Sequence, residues 1–290
     1  MRPMKIINDI GLIGAISHYF VKILAKFGLH LNLKSIKANQ VRRLSRSIGD
    51  TVKYGSFKGL SLVDRPGWSA NDRISMLVGA YELRVLEILL EATSNRTCFI
   101  DIGAADGYFA VGMATQSNIT VVHAFEIDDR ARILIKQNSM HNNVLGKVNI
   151  HGEACANEIS EIVAIQNANS VILIDIEGAE FQLLKNQCLL KNICNEILII
   201  ELHDFLFEDG AARKQALFDD FSVYFDCFIF DSGPRDVSKI EELKRLPEDI
   251  AWLILSEGRL KSMNWVVCLP KNDRCTNISK FDYLNSDIIN

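Results

Sequence analysis

The stretch FIDIGAADGYFAVGMA, residues 99–114, decides the fold class of this chain. An apolar run ends in the carboxylate of Asp101, a small flexible turn from Gly103 to Gly107 follows, and a helix-like run comes next. Where a buried strand turns this sharply into a helix, the turn commonly binds a ligand. The stretch therefore predicts a strand, a ligand-binding turn and a helix, in that order.

Strand-like and helix-like runs alternate beyond this stretch. The strand-like runs are continuous in Val, Ile and Leu, which is typical of a parallel sheet covered on both faces. Repeated units of this length predict a doubly wound α/β fold with a mostly parallel, seven-stranded, Rossmann-like sheet. The strand-like runs are 98–103, 120–128, 148–153, 171–178, 196–203, 221–230 and 264–269. The helix-like runs are 73–93, 107–116, 129–141, 156–167, 179–191 and 209–220.

The charge is unevenly distributed along the 290 residues. Residues 1–60 carry a net charge of +9, which leaves −13 for the remainder of a chain whose total is −4. Apolar residues recur at helical spacing over 6–27, which predicts an amphipathic helix. We therefore predict two parts: a basic, partly helical N-terminal extension, 1–70, and an α/β domain, 71–290, that contains the candidate ligand-binding turn. The helix over 6–27 is expected to contact the body, a second copy of the chain or an anionic membrane surface.

The cysteines and the N-terminal segment bear on cellular location. The seven cysteines form no C-x-x-C pair and lie mostly in apolar runs, which favours reduced, buried thiols over disulfides or zinc. Charged residues interrupt 6–31, so no run of about 18 uncharged apolar residues exists to cross a membrane. We expect a cytoplasmic protein, with peripheral contact at the inner face of the membrane as the alternative.

Acidic residues stand at five successive predicted strand ends. In an open parallel sheet these ends share one edge, where ligands bind. Helix capping explains some of them, as at Asp106 and Asp128, but five of five exceeds what capping requires. The strand-end residues are Asp101, Glu126, Asp128, Glu153, Asp175, Glu177, Glu201, His203 and Asp204.

These acids narrow the class of ligand. A row of carboxylates disfavours a polyphosphate, and the chain contains neither the Walker pattern nor G-x-G-x-x-G in the first turn. Glu126, at the end of the second strand, is placed to accept hydrogen bonds from ribose hydroxyls. A nucleoside that lacks phosphates and carries positive charge satisfies both conditions. S-adenosylmethionine (SAM), with its ammonium and sulfonium groups, is such a molecule.

Four stretches of the sequence resemble the motifs of a known enzyme family. Residues 99–114 resemble motif I of class I SAM-dependent methyltransferases, and AFEID, 124–128, resembles their ribose-binding strand end. VILIDIEGAEFQLLK, 171–185, is similar to the D-x-E-G-A-E signature of the FkbM family, and ILIIELHD, 197–204, to the strand that follows it. The resemblance extends over roughly 76–205 and implies methyl transfer from SAM, most often to an oxygen of a sugar, glycolipid or natural product.

The resemblance also implies which residues contact the cofactor. Asp101, Gly103 and Gly107 would hold the methionine end, Asp106 and Tyr108 would shape the turn, and Glu126 would bind the ribose. Glu153 and Ala154 would lie beside the adenine, Asp175 would face the sulfonium, and Tyr81 and Glu82 would close over the cofactor. Ala104 and Ile127 complete the implied set.

Methylation of a hydroxyl requires removal of its proton. His203 is our first candidate for the base because histidine titrates near neutrality, and Glu201 and Asp175 are the alternatives. A second hypothesis is a divalent cation such as Mg²⁺ that acidifies the hydroxyl and is held by Asp175, Glu177, Glu201 and His203. The alternative for His203 is a structural role, in which it bonds a neighbouring backbone group and orients a loop.

Three other functions compete with this interpretation. An RNA or protein methyltransferase is one, but D-I-E-G stands where N-methylating enzymes carry N-P-P-[YF], and the basic arm lacks the interleaved aromatics of nucleic-acid binders. A SAM-binding assembly module without catalysis is the second. A nicotinamide dehydrogenase is the third, and the failed dinucleotide fingerprint counts against it. We therefore expect a small-molecule or glycan acceptor and no nucleic acid partner.

Overall fold

The computed structural model describes residues 33–63, 72–167, 169–233, 235–256 and 263–271. These residues divide into two compact units. One comprises the described residues up to Tyr81 together with 235–256, and the other comprises 82–233 without residue 168, together with 263–271. The second unit contains the sheet, and all the catalytic candidates belong to it. The predicted boundary between 70 and 71 stays a prediction.

The sheet has seven strands in the order β3-β2-β1-β4-β5-β7-β6. The first five strands pair in parallel, whereas β7 pairs antiparallel with both β5 and β6. The predicted seven-stranded, mostly parallel sheet is thereby confirmed. The strands are β1 Cys98–Ile102, β2 Val121–Phe125, β3 Val148–His151, β4 Ser170–Ile174, β5 Ile197–Leu202, β6 Phe225–Asp231 and β7 Asn264–Pro270.

Helices separate most of the strands along the chain. In the sheet-containing unit they are α3 Leu83–Ala92, α4 Tyr108–Ala114, α5 Asp129–His141, α6 Ala156–Gln166, α7 Glu180–Leu183, α8 Gln187–Ile193 and α9 Gly210–Phe221. The other unit contains α1 Leu33–Ile48, α2 Arg73–Leu77, α10 Glu241–Lys244 and α11 Glu248–Leu255.

Both faces of the central strands are buried, as the apolar runs predict. Cys98, Ile100 and Ile102 belong to a core cluster that includes residues of α6, α8 and α9. Because side chains alternate along a strand, Phe99 and Asp101 point to the opposite face, and both are also buried. Because both faces are buried, β1 requires apolar side chains at successive positions, and Asp101 is the charged exception among them.

The strand order reverses between β1 and β4. The chain runs outward from β1 through β2 to β3, and then returns to place β4 on the other side of β1. At such a reversal the connections leave the two strands in opposite directions and open a crevice at their carboxyl ends. The turn after β1 and the residues after β4 therefore occupy the position in the sheet where ligands bind.

The helix predicted over 73–93 is divided in the structure. α2 ends at Leu77 and α3 begins at Leu83. Between them Gly79 has φ of +66°, and a Cβ there would lie 2.1 Å from the carbonyl oxygen of Tyr54. A continuous helix is incompatible with this close backbone approach, which apolar spacing alone does not reveal.

The helix predicted over 179–191 is also divided, into α7 and α8. The side chain of Asn186 accepts a hydrogen bond from the backbone N–H of Leu189 at 3.0 Å. This is an N-cap, so a new helix begins at Gln187 instead of the first one continuing.

Several predictions on the first seventy residues fall outside the described part of the chain. The amphipathic helix over 6–27 is among them, and its partner stays a prediction. Within the described residues, no helix has the length and apolar character needed to cross a membrane. Six cysteines are free thiols there. Cys98, Cys227 and Cys268 are buried, as predicted, whereas Cys155 and Cys188 are exposed and Cys194 is half-buried, so burial was wrongly predicted for these three.

Candidate functional site

The turn after β1 packs directly against the residues that follow β4. Gly103 has φ of +94°, and a Cβ at this position would lie 1.8 Å from the carbonyl oxygen of Asp175. The backbone N–H groups of Gly103 and Ala104 both donate to the carbonyl of Phe125 at 2.9 Å. The turn is therefore fixed between β2 and β4 by backbone contacts, and only glycine fits at position 103.

Gly103→Ala tests this packing. The added methyl group would collide with backbone, which cannot move away as a flexible side chain can, and the positive φ adds strain. We expect a loss of about 3 kcal/mol or more in the free energy of unfolding, measured by urea denaturation. Gly146→Ala is the matched control, since a Cβ at Gly146 meets nothing within 4 Å. Equal stability of both variants would contradict the close approach.

Asp101 places a buried carboxyl group beneath this turn. It is 2% exposed, and its Oδ2 has no hydrogen-bond partner among the described residues. Burial, the nearby carboxylate of Asp175 and to a lesser degree that of Glu126 raise the pKa of Asp101 to about 8, against a hydrogen bond from the backbone N–H of Ala110 that lowers it. A cationic group at Oδ2 would supply the missing partner and favour the ionised form.

Glu126 links the end of β2 to the turn. Its Oε2 accepts from the backbone N–H of Ala105 and its Oε1 from that of Asp128, both at 2.8 Å. Ala105 has φ of 48°, so this bond holds a strained residue in place. A carboxylate has about four lone-pair positions, which leaves acceptors for ribose hydroxyls. The adjacent Ile127 side chain is 71% exposed, an apolar surface beside that carboxylate.

Asp128 caps a helix, as the sequence predicts. Its side chain accepts from the backbone N–H of Arg130 at 2.8 Å, which is an N-cap on α5.

A second group of side chains surrounds His203, just beyond β5. The imidazole is 3% exposed, and its Nε2 lies 3.4 Å from Glu177 Oε2, 3.7 Å from Asp175 Oδ1 and 3.8 Å from Glu201 Oε2. The sequence therefore predicted correctly that the ends of β4 and β5 bring these four residues together. The imidazole can take a proton and hold it among carboxylates.

Glu180 is the residue that sequence reasoning missed. It is fully buried, and its Oε1 accepts from the backbone N–H of His203 at 2.9 Å and lies 3.3 Å from His203 Nδ1. Its Oε2 accepts from the backbone N–H of Gly178 at 2.8 Å. The signal was available, because Glu180 is the last acid of the D-x-E-G-A-E motif that pointed to the family.

The pKa values of this group reflect mutual proximity. Burial and the carboxylates of Glu177 and Glu180 raise the pKa of Asp175 to about 6, against Glu201 and His203, which lower it. Burial opposes the charge on the imidazolium of His203, but Glu180, Asp175 and Glu177 together outweigh burial and raise the pKa of His203.

Three of these side chains could also hold a metal ion. One ligand atom each from Asp175, Glu177 and His203 lie within 4.8 Å of one another. All three belong to the set that the sequence predicts, whereas Glu201, the fourth predicted residue, is not in this group. Two carboxylates and one imidazole form a ligand set suited to a divalent cation.

The remaining predicted cofactor contacts stay predictions. Tyr81 ends one compact unit and Glu82, which is buried with φ of 43°, begins the other. Asp106 and Tyr108 are buried in and after the turn, and the carbonyl of Asp106 accepts from the Asn138 side chain at 2.9 Å. Ala154 is partly buried beyond β3, and its neighbour Glu153 is exposed.

Comparisons with known proteins find only distant likenesses. No family model and no curated protein matches the chain. Among solved structures, the O-methyltransferase TomG from Streptomyces achromogenes, in complex with SAM, is 10% identical over 72% of this chain and 91% of its own, with a TM-score of 0.46.

Two further matches are similarly distant. An O-methyltransferase from Bacillus cereus is 10% identical over 87% of this chain and 97% of its own, with a TM-score of 0.42. A tRNA methyltransferase from B. subtilis is 13% identical over 64% and 65% of the two chains, with a TM-score of 0.40.

Proposed function

We propose that the protein is a SAM-dependent methyltransferase of the FkbM type that methylates a hydroxyl oxygen. One observation carries the proposal: a glycine turn at the β1/β4 reversal directly follows Asp101, whose buried Oδ2 has no hydrogen-bond partner among the described residues, and Glu126 is bonded to the same turn. The turn admits a ligand, Asp101 favours a cation, and Glu126 suits ribose hydroxyls. SAM combines these features in one molecule.

The proposed placement of SAM follows the strand ends. Asp101 and the turn that begins at Gly103 would hold its ammonium group, and Glu126 would bind its ribose. Ile127, just beyond β2, would contact its adenine. Asp175, whose backbone touches the turn, would face its sulfonium. His203, whose Nε2 lies 3.7 Å from Asp175 Oδ1, would then be close enough to act on the acceptor hydroxyl.

Methyl transfer is an in-line displacement in which SAM supplies the leaving group. Alignment of the two reactants accounts for about 7–11 kcal/mol of the barrier when the geometry is right. Removal of the hydroxyl proton by a positioned base adds roughly 10²–10⁴-fold. We assign that role to Nε2 of His203, with Asp175 and Glu201 close enough to stabilise the imidazolium that forms.

A bound Mg²⁺ is the alternative means of acidifying the hydroxyl. Asp175, Glu177 and His203 would hold the cation, and Nε2 would then be a ligand instead of a base. Chelation separates the two mechanisms: methyl transfer that survives EDTA supports the base, whereas activity lost to EDTA and restored by magnesium supports the cation.

The acceptor that we propose is a sugar, glycolipid or natural product in the cytoplasm. The sequence after β4 is D-I-E-G and not the N-P-P-[YF] of N-methylating enzymes, which supports this class over RNA. His203, which could take the proton of a hydroxyl group, supports it as well.

A labelling experiment tests the proposal. Full-length protein and methyl-tritiated SAM are incubated separately with the glycolipid, polysaccharide, small-molecule, RNA and protein fractions of the cells that produce it. We expect label in a glycan or small-molecule fraction that resists mild alkali, as an ether does and a methyl ester does not. Label in RNA or protein would overturn the acceptor class, and SAM binding without label in any fraction would indicate an assembly module.

A further inference from the structure

The geometry points to Glu180 as a positioning residue that holds His203 in the tautomer with its proton on Nδ1, so that the Nε2 lone pair faces the acceptor hydroxyl. This role of Glu180 deepens the proposed function, because a base that removes a proton through Nε2 must carry its own proton on Nδ1.

The hydrogen bonds of Glu180 show why the proton belongs on Nδ1. Both carboxylate oxygens already act as acceptors, Oε1 for the backbone N–H of His203 and Oε2 for that of Gly178. An Nδ1–H can donate to Oε1 at 3.3 Å, whereas an Nδ1 lone pair at this distance would be repelled. The carboxylate oxygens of Asp175, Glu177 and Glu201 lie farther from Nε2, at 3.4–3.8 Å, so the hydrogen bond on the Nδ1 side decides the tautomer. Full burial of Glu180 strengthens both effects.

The same contacts fix the direction of the ring. The backbone and side chain of His203 are held to one carboxylate, which leaves little freedom about the side-chain torsions. The ring then turns Nε2 toward Asp175, Glu177 and Glu201 at 3.4–3.8 Å. A carboxylate behind an imidazole whose other nitrogen faces the reacting group is the arrangement by which general bases are oriented.

Nitrogen-15 NMR of histidine-labelled, full-length protein tests this directly and needs neither SAM nor acceptor. EDTA is present, and the pH is high enough that His203 is neutral; His203→Gln assigns its signals. We expect the Nδ1–H tautomer in the native protein and a shift toward Nε2–H in Glu180→Gln and Glu180→Ala. The Nε2–H tautomer in the native protein would overturn the inference, even if neither variant folds.

Glu158→Gln is the matched control, because Glu158 Oε1 lies 2.7 Å from Nδ1 of His151 in a second glutamate–histidine pair outside this group. It should change the His151 signals and leave those of His203 in place.

Folded Glu180 variants that keep the native tautomer would reduce Glu180 to a structural role. With an acceptor in hand, Glu180→Gln should lower kcat about 10²-fold with the KM for SAM unchanged. If the protein did not bind SAM, the proposed function would be wrong, but the tautomer measured by NMR would be unaffected.

Discussion

His203→Gln is expected to lower the rate of methyl transfer by roughly 10²–10⁴-fold while leaving SAM affinity within a few-fold of the native value. Glutamine keeps polar atoms at this position but cannot accept and hold the proton of the acceptor hydroxyl. His203 lies beyond β5, whereas the turn that is proposed to hold SAM follows β1, so rate and affinity should separate. The measurements are kcat with the labelled acceptor and calorimetric titration with SAM.

His141→Gln is the control for this variant. His141 is the exposed last residue of α5 and is expected to change neither quantity. If His203→Gln retained full kcat, the base would be another group, and Glu201 and Asp175 would be the next to test. An equal loss of SAM affinity and rate would instead indicate that the substitution damages the site.

Asp101→Asn is expected to weaken SAM binding by roughly 10–100-fold while making the ligand-free protein more stable at alkaline pH. A hydrogen bond to a charged group contributes about 1.5–3 kcal/mol, which sets the expected loss in affinity. The stability gain has a separate cause, because the native chain must bury the Asp101 carboxylate without a partner for Oδ2 among the described residues. Calorimetric titration and urea denaturation measure the two effects.

The pH dependence of the stability effect has a definite sign. The pKa of Asp101 is raised from 3.8 to about 8 in the folded protein, so the folded state binds more protons between these values. Its contribution to stability is fully present below pH 3.8 and is lost as the pH rises through about 8. Asp101→Asn lacks this loss, and its advantage should reach at least about 1 kcal/mol above pH 8.

SAM binding should therefore release a proton from Asp101 near neutral pH. Titrations in buffers of different ionisation enthalpy detect that release, and it should be absent in Asp101→Asn. A variant that binds SAM as tightly as the native protein, or that loses stability at alkaline pH, would contradict the assignment of Asp101 to the cationic end of SAM.

The strands were predictable from sequence because burial on both faces imposes a simple pattern. Phe99 and Ile100 point to opposite faces of β1 and are both fully buried, so no polar residue interrupts the run before Asp101. The antiparallel insertion of β7 between β5 and β6 has no such local pattern. Its place depends on how distant segments pair, which one strand's composition does not specify.

The site was predictable to the extent that the strand ends specify it. Asp175 and His203 follow neighbouring strands, so their approach follows from the sheet alone. Glu180 and His203 are 23 positions apart, and Glu180 is the first residue of a helix of only four residues, so its local sequence fits a helix cap equally well. The break at Gly79 likewise depends on Tyr54, which is distant in sequence.

Calorimetric titration of the full-length protein with SAM tests the central claim most directly. We predict saturable binding of one SAM per chain and no binding of NAD. Glu126→Ala should weaken it by about 100-fold, since it removes the ribose acceptor and the anchor of Ala105, while the partly buried Glu158→Ala should not. No SAM binding by folded native protein, or undiminished binding by Glu126→Ala, would contradict the account.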